Sequence, residues 1–409
     1  MIQALVPISA LLLGVAFLLV GVGVLNTLLA LRGSLEGFSP GVIGIVLSGY
    51  FAGFMVGTWL GPRVIGQVGH IRAFALFSAV ASSAALAHVL LVDAWSWGLL
   101  RLITGIAMVG LYTVIESWLN VVAPRERRGQ VFASYMLVNF MALALAQLLL
   151  MRVPIGDFTL FALAAICISL SLTPVVLTGL RQPPVVPVPR FAATRMLRVA
   201  PLGAVGSLLS GAATAAVWGM VPLMAQALGY KAELIARMMI VMILCGGLAQ
   251  IPIGHLGDRI DRRTILLVLS ALATVAGVLM VLAVQRQMGL PLLVGSLALL
   301  GATGFCVYAT CVALVNDHLH QDEIVPAAST MLLIHGVGAV VGPLLAGVLM
   351  QWVGPVGLGW HFVGAWGLLT IYALWRALVA VRPLHQRRGL LWMLRTTPVA
   401  LELLEDDIH

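Results

Sequence analysis

The amino-acid sequence predicts an all-α integral membrane protein, with twelve transmembrane helices forming two pseudo-symmetric six-helix bundles. Three observations predict this. Of 409 residues, 61% are hydrophobic and only 9% are charged, against roughly 25% charged in soluble globular domains. The apolar residues fall in twelve runs, each near the ~20 residues that cross a bilayer, separated by short hydrophilic breaks. One long proline-rich break, from Arg181 to Ala200, divides six runs from six. Backbone polar groups cannot stay unpaired in hydrocarbon, so the runs must be helical. None shows the alternation of a membrane β-barrel.

The first six helices are expected near residues 7–31, 40–62, 73–92, 96–121, 130–151 and 157–179. The second six are expected near 201–225, 233–256, 264–285, 290–315, 326–352 and 357–381. The domains follow as an N-terminal bundle over 1–180, a cytoplasmic linker over 181–200, a C-terminal bundle over 201–382 and a cytoplasmic tail over 383–409. The first run is longer than a signal-peptide core of roughly 7–15 residues and ends in no small-residue cleavage site, so it is expected to remain as a helix. The linker reads RQPPVVPVPRFAATRMLRVA and is expected to stay extended. In the tail, Thr397-Pro398 reads as a helix start, followed by the acidic residues Glu402, Glu405, Asp406 and Asp407.

Orientation follows from the 23 basic residues. With alternating helices, all but Arg32, Arg152, Lys231, Arg237, Arg286 and the intrahelical Arg101 fall on one side. The positive-inside rule makes that side cytoplasmic, together with both termini. The net charge of +8 therefore reads as topology, and no face suits nucleic acid. Cys167, Cys245, Cys306 and Cys311 lie inside apolar runs without metal or disulfide spacing and read as small buried hydrophobes. No metal, cofactor or catalytic motif is present, so an enzyme is not expected and an ion gradient is the expected energy source.

The halves repeat at an offset of 196 residues. Gly105 to Asn120 reads GIAMVGLYTVIESWLN and Gly301 to Asn316 reads GATGFCVYATCVALVN, with Gly, Tyr and Asn in register. Duplicated six-helix halves are a transporter architecture, with the substrate site expected at mid-membrane between them.

After the eighth helix the chain reads Gly254-His255-Leu256-Gly257-Asp258-Arg259-Ile260-Asp261-Arg262-Arg263. This resembles the G-x-x-x-D-R-x-G-R-R loop of the major facilitator superfamily, with Asp261 in place of glycine. The resemblance implies that Asp258, Arg259, Arg262 and Arg263 form a conformational latch between helix ends; the alternative is a solvated basic turn. At the matching break of the first half, Gly66 stands where the acid belongs, so the latch is asymmetric. GLYTVIESWLN over Gly110 to Asn120, the run from Gly246 to Arg263, and HGVGAVVGPLLAG over His335 to Gly347 are similar to the YcaD-like branch of that superfamily. The resemblance implies the major facilitator fold, a multi-pass place in the bacterial inner membrane and a monomer that moves a small-molecule substrate.

Arg101 to Gly105 in the fourth helix resembles the R-x-x-x-G pattern of proton-coupled exporters in the superfamily. Glu116 lies 15 residues on, about 22 Å along the axis, so the two cannot pair directly. An ionisable group in hydrocarbon should face the bundle interior or water. Glu116 reads either as a proton carrier, with Arg101 as a fixed cation, or as an interhelix hydrogen-bonding group. His335 could bind substrate, titrate, or serve as a buried hydrogen-bond partner. Asn26, Tyr112, Asn139, Gln147, Gln250 and Tyr308 are further polar candidates for the cavity.

In the eleventh helix, Gly338, Gly342, Pro343 and Gly347 form a run that allows close approach and a bend. Exporters carry a similar motif in helix five, where this chain has Gln147 opposite Pro343. Gly49, Gly53 and Gly57 in helix two read as packing. Trp95, Trp97, Trp352 and Trp360 read as interface anchors. The expected function is proton-coupled antiport, an efflux of a small amphiphilic metabolite or drug; the alternatives are proton-coupled uptake and a non-transporting membrane scaffold or sensor.

Overall fold

The computed structural model describes residues 9–122, 128–177, 183, 193–257, 259–319 and 324–379. The helices of the first half are α1 (Ser9–Leu35), α2 (Pro40–Val68), α3 (His70–Leu90), α4 (Ala94–Val122), α5 (Arg128–Leu150), α6 (Thr159–Leu170) and α7 (Leu172–Leu177). After a short α8 (Ala193–Val199) come α9 (Pro201–Ala227), α10 (Ala232–Gly257), α11 (Arg262–Gln285), α12 (Leu290–Asn316), α13 (Ile324–Val353) and α14 (Gly357–Val379). With α6 and α7 counted as one, twelve of these are long and apolar enough to cross a membrane. Residues 383–409 and most of the linker lie outside the described residues.

Local chemistry sets the helix ends. Ser39 caps α2 by accepting from the N–H of Val42, and Pro40 follows at the first turn, where its missing N–H costs nothing. Asp261 caps α11 through the N–H of Arg263, at 3.0 Å. Gly37 and Gly229 turn the chain after α1 and α9 with φ of +82° and +83°, a left-handed conformation that glycine adopts without cost.

Three expectations change. The second span runs through Pro62 to Val68 instead of ending at 62, because Gly61, Pro62 and Ile65 continue its buried face. The sixth span breaks at Ser171, three residues before Pro174, whose missing N–H removes a helical hydrogen bond. Residues 193–199 of the linker form a helix, with Met196 buried and Arg195 and Arg198 exposed.

Packing within each half runs over glycines, which let helix backbones touch where lipid offers no hydrophobic drive. Cβ atoms on Gly49, Gly53 and Gly57 of α2 would meet the Gly98, Leu102 and Ile106 carbonyls of α4, and one on Gly105 would strike the Tyr50 carbonyl. At the 196-residue offset, one on Gly301 of α12 would strike the Met242 carbonyl of α10. In α13, Gly338 and Gly342 press against the Leu208 and Ala212 carbonyls of α9. Outward faces stay apolar, as in α5, where Leu137, Met141, Leu145 and Leu148 recur at helical spacing and are exposed. Trp95 and Trp352 are exposed as interface anchors would be, but Trp97 is buried and its indole donates to the His88 carbonyl at 3.0 Å.

The two sets of six meet through α2 with α13, α5 with α10, and α1 with α9. The tightest contacts lie at the arginine-poor end. There Gly44 faces the Pro343 carbonyl and Gly347, and Gly347 faces Pro40 and Gly41. Ser39 Oγ donates to Gln351 Oε1 at 3.4 Å, and Gln226 Nε2 to the Leu31 carbonyl at 3.3 Å.

Candidate functional site

Between the two sets, near the middle of the spans, lies a cavity of about 80 Å³. Its polar lining comes from Asn26 of α1, Tyr50 of α2, Tyr112 of α4, Asn139 of α5 and His335 of α13. Phe51, Phe54 and Trp218 give it aromatic walls. It is an apolar pocket with a few converging polar groups, the usual make-up of a small-molecule site. Four of the seven cavity candidates read from the sequence line it: Asn26, Tyr112, Asn139 and His335.

The other three do not. Gln147 is buried against Thr27 of α1, exchanging hydrogen bonds of 3.2 and 3.3 Å with its hydroxyl. Tyr308 stands behind the lining, its ring 4.5 Å from that of His335. Gln250 is buried in α10, and its amide atoms have no hydrogen-bond partner among the described residues. The aromatic wall was missed because apolar spans make an inward ring look like a lipid-facing one. One signal could have found part of it: Tyr50 and Phe54 each follow a glycine of the α2 ridge by one residue, on the face beside the α4 seam.

Arg101 is buried just behind this lining. Its Nη2 donates to Asn26 Oδ1 at 2.7 Å, and its guanidinium lies 4.4 Å from the Tyr50 ring centroid. Nε and Nη1 have no hydrogen-bond partner among the described residues. A cation held by an amide and an aromatic face keeps most of its charge uncompensated and sends a positive potential into the cavity. His335 is held from the other side, with Nδ1 3.2 Å from Ser210 Oγ.

Glu116 is fully buried in α4, one helical turn from Tyr112. Tyr135 Oη of α5 donates to its Oε1 at 3.1 Å, and Asn139 Nδ2 donates to the Tyr135 carbonyl at 2.6 Å. The carboxyl group thus lies close to the cavity, with the lining residue Tyr112 one turn away on its own helix and its partner Tyr135 one turn before the lining residue Asn139 on the next.

Of the latch residues, Asp258 lies outside the described residues and Arg259 is exposed. Arg262 is buried, donates to the Ala313 carbonyl at 2.9 Å and forms an ion pair with Asp317, tying the start of α11 to the end of α12. Arg263 Nη2 lies 3.4 Å from His318 Nε2. In the first half, His70 opens α3 and packs on Trp118, with ring centroids 6.0 Å apart, where the second half has this ion pair. Arg262→Ala is expected to cost about 3–5 kcal/mol, because it removes one member of a buried ion pair. Thermal unfolding in detergent checks this, and Arg262→Met with Asp317→Leu should recover most of the loss.

A twelve-span bundle around a central amphipathic cavity defines a multi-pass membrane transporter, and the comparisons agree. Residues 203–400 match the model of the Major Facilitator Superfamily. A protein of Enterobacter sp. (strain 638), described as an uncharacterized MFS-type transporter, is 30% identical over 356 residues, covering 84% of this chain and 89% of that relative. The uncharacterized MFS-type transporter YcaD of Escherichia fergusonii is 28% identical over 347 residues, with the same coverage. The chain belongs to the major facilitator superfamily. Among solved structures, the nucleoside transporter NupG aligns with a TM-score of 0.73 at 12% identity, covering 91% of this chain and 98% of that one. A D-xylose-proton symporter aligns at 0.69 and 15% identity, covering 95% and 100%. At such identities these two share the fold.

Proposed function

We propose that this transporter exports a small amphiphilic molecule in exchange for protons across the bacterial inner membrane, with the arginine-rich end in the cytoplasm. The observation that carries the reading is the buried Glu116 carboxyl group, bonded to Tyr135 and one helical turn from the cavity-lining Tyr112. Two bundles, 1–180 and 201–382, rock about the cavity. Glu116 carries the proton, and Arg101 biases the cavity toward molecules with an electron-rich or anionic group. The aromatic walls take the apolar part, Asn26, Asn139 and His335 orient the polar part, and the loop from Asp258 to Arg263 latches one state. A polyanionic cargo fits poorly, since Arg101 is the one arginine or lysine near the described lining.

Proton-coupled uptake is the second reading. It is favoured by the glycine–proline run lying in α13 around Pro343, with Gln147 at the matching place in α5. A ligand screen by thermal stabilisation at pH 6 and pH 8 separates the two, because a ligand of the native state stabilises by mass action. If cargo and proton compete, as antiport requires, stabilisation is larger at pH 8. If they bind together, as symport requires, it is larger at pH 6. Glu116→Gln should make the two pH values equal in either case. A ligand whose pH dependence survives that substitution removes Glu116 from the coupling.

A further inference from the structure

A second, small pocket of about 30 Å³ lies away from the cavity at the arginine-rich end of the second half. Val199, Ala200, Pro201 and Leu202 at the start of α9 form one wall. Arg263 of α11, Leu314 and His318 at the end of α12, and Arg376 in the last turn of α14 form the others. None of its lining residues is acidic. Among the described residues, the carboxylates next in sequence to this lining are engaged, Asp317 by Arg262 and Asp261 by the N–H of Arg263.

Two independent features favour an anion here. Arg263 and Arg376 come from helices distant in sequence and converge on one small pocket, with Arg198 exposed beside it. The start of α9 borders the same space without a side-chain cap at Ala200, and because Pro201 has no N–H the donors of its first turn begin at Leu202. Helix N-terminal N–H groups and a pair of guanidinium groups are both donors suited to phosphate oxygens. His318 positions one of these guanidinium groups. Its Nδ1 lies 2.8 Å from the Leu314 carbonyl, which can only accept, so Nδ1 carries the hydrogen and Nε2 holds Arg263 in place.

We propose that this pocket binds the phosphate of an anionic phospholipid, a site separate from the transport cavity. A lipid source is favoured over free phosphate because the pocket lies between the ends of four membrane-spanning helices at the arginine-rich end, the level at which headgroups sit. By bridging α9, α11, α12 and α14, the headgroup clamps the end of the second half that carries the latch loop.

The test uses the full chain, purified in detergent and stripped of lipid, with phosphatidylglycerol, phosphatidylcholine and inorganic phosphate as probes. Native mass spectrometry and thermal unfolding are the readouts. Wild type is expected to retain phosphatidylglycerol and to be stabilised by it, and not by phosphatidylcholine. Arg263→Gln with Arg376→Gln should weaken binding roughly tenfold to thirtyfold. Arg72→Gln, an exposed arginine at the same end of the first half, should leave it unchanged. The doubly lysine-substituted protein should bind nearly as wild type, which also covers the case in which the double glutamine variant fails to fold. Inorganic phosphate that reproduces the stabilisation and displaces the lipid overturns the lipid assignment and leaves a soluble phosphate as occupant. Equal binding of the two lipids, or undiminished binding by a folded double glutamine variant, overturns the site.

Discussion

Gly347→Leu is expected to abolish transport, by more than tenfold, while leaving a protein that purifies normally. A Cβ at Gly347 would press on the Pro40 carbonyl and lie 3.2 Å from Cα of both Gly41 and Gly44, and one at Gly44 would collide with the Pro343 carbonyl. These obstacles are backbone, which cannot rotate aside. Overpacking typically costs about 1–3 kcal/mol, enough to shift a two-state equilibrium by roughly 5–150-fold. The wedge falls between the two sets of helices, so the arginine-poor end should open while each set keeps its packing. Gly342→Leu makes the contrast, since it drives a side chain into the Ala212 backbone within the α9–α13 seam and should prevent folding. Labelling a single cysteine at Tyr112, with the four native cysteines replaced, by an impermeant maleimide reports which end is open. Unchanged labelling from the arginine-poor side in a folded Gly347→Leu protein would refute the gate.

On the proposed mechanism, Glu116→Gln removes the proton site and should lower gradient-driven flux by at least about tenfold, while downhill exchange of cargo continues. The amide keeps the size of the side chain and mimics the protonated state. Tyr135→Phe should act more mildly, by the roughly 1.5–3 kcal/mol that a hydrogen bond to a charged group carries, displacing the pH at which transport switches without abolishing it. Flux in proteoliposomes, with and without an imposed pH gradient, separates these outcomes. If Glu116→Gln responds to the gradient as wild type does, Glu116 is a structural partner of Tyr135 and the coupling group lies elsewhere.

Two features of the site were legible before the fold was known, and for one reason. Charged groups such as Glu116 and Arg101 are costly in hydrocarbon, so their presence in apolar runs already placed them in the interior. Neutral polar groups carry no such information. Asn139 and Gln147 lie eight residues apart on α5 and look alike in sequence, yet Asn139 reaches the cavity and Gln147 is spent on Thr27. The aromatic residues are less legible still, because Phe54 at the cavity and Phe158 at the exposed surface are equally at home in apolar sequence.

What the sequence by itself determined is the solvent and the topology: twelve helices, six and six, duplicated and biased in charge. Those follow from the bilayer, whose thickness sets helix length and whose lack of hydrogen-bond partners forces helicity. Only the tertiary structure decided which face of each helix looks inward. In spans that are apolar nearly all round, the amphipathic period that reveals a buried face in water is missing. Close backbone contact at Gly53, Gly301, Gly338 and Gly347 orients the helices instead, and the rotation it imposes sends Asn26, Tyr50, Tyr112, Asn139 and His335 to one cavity.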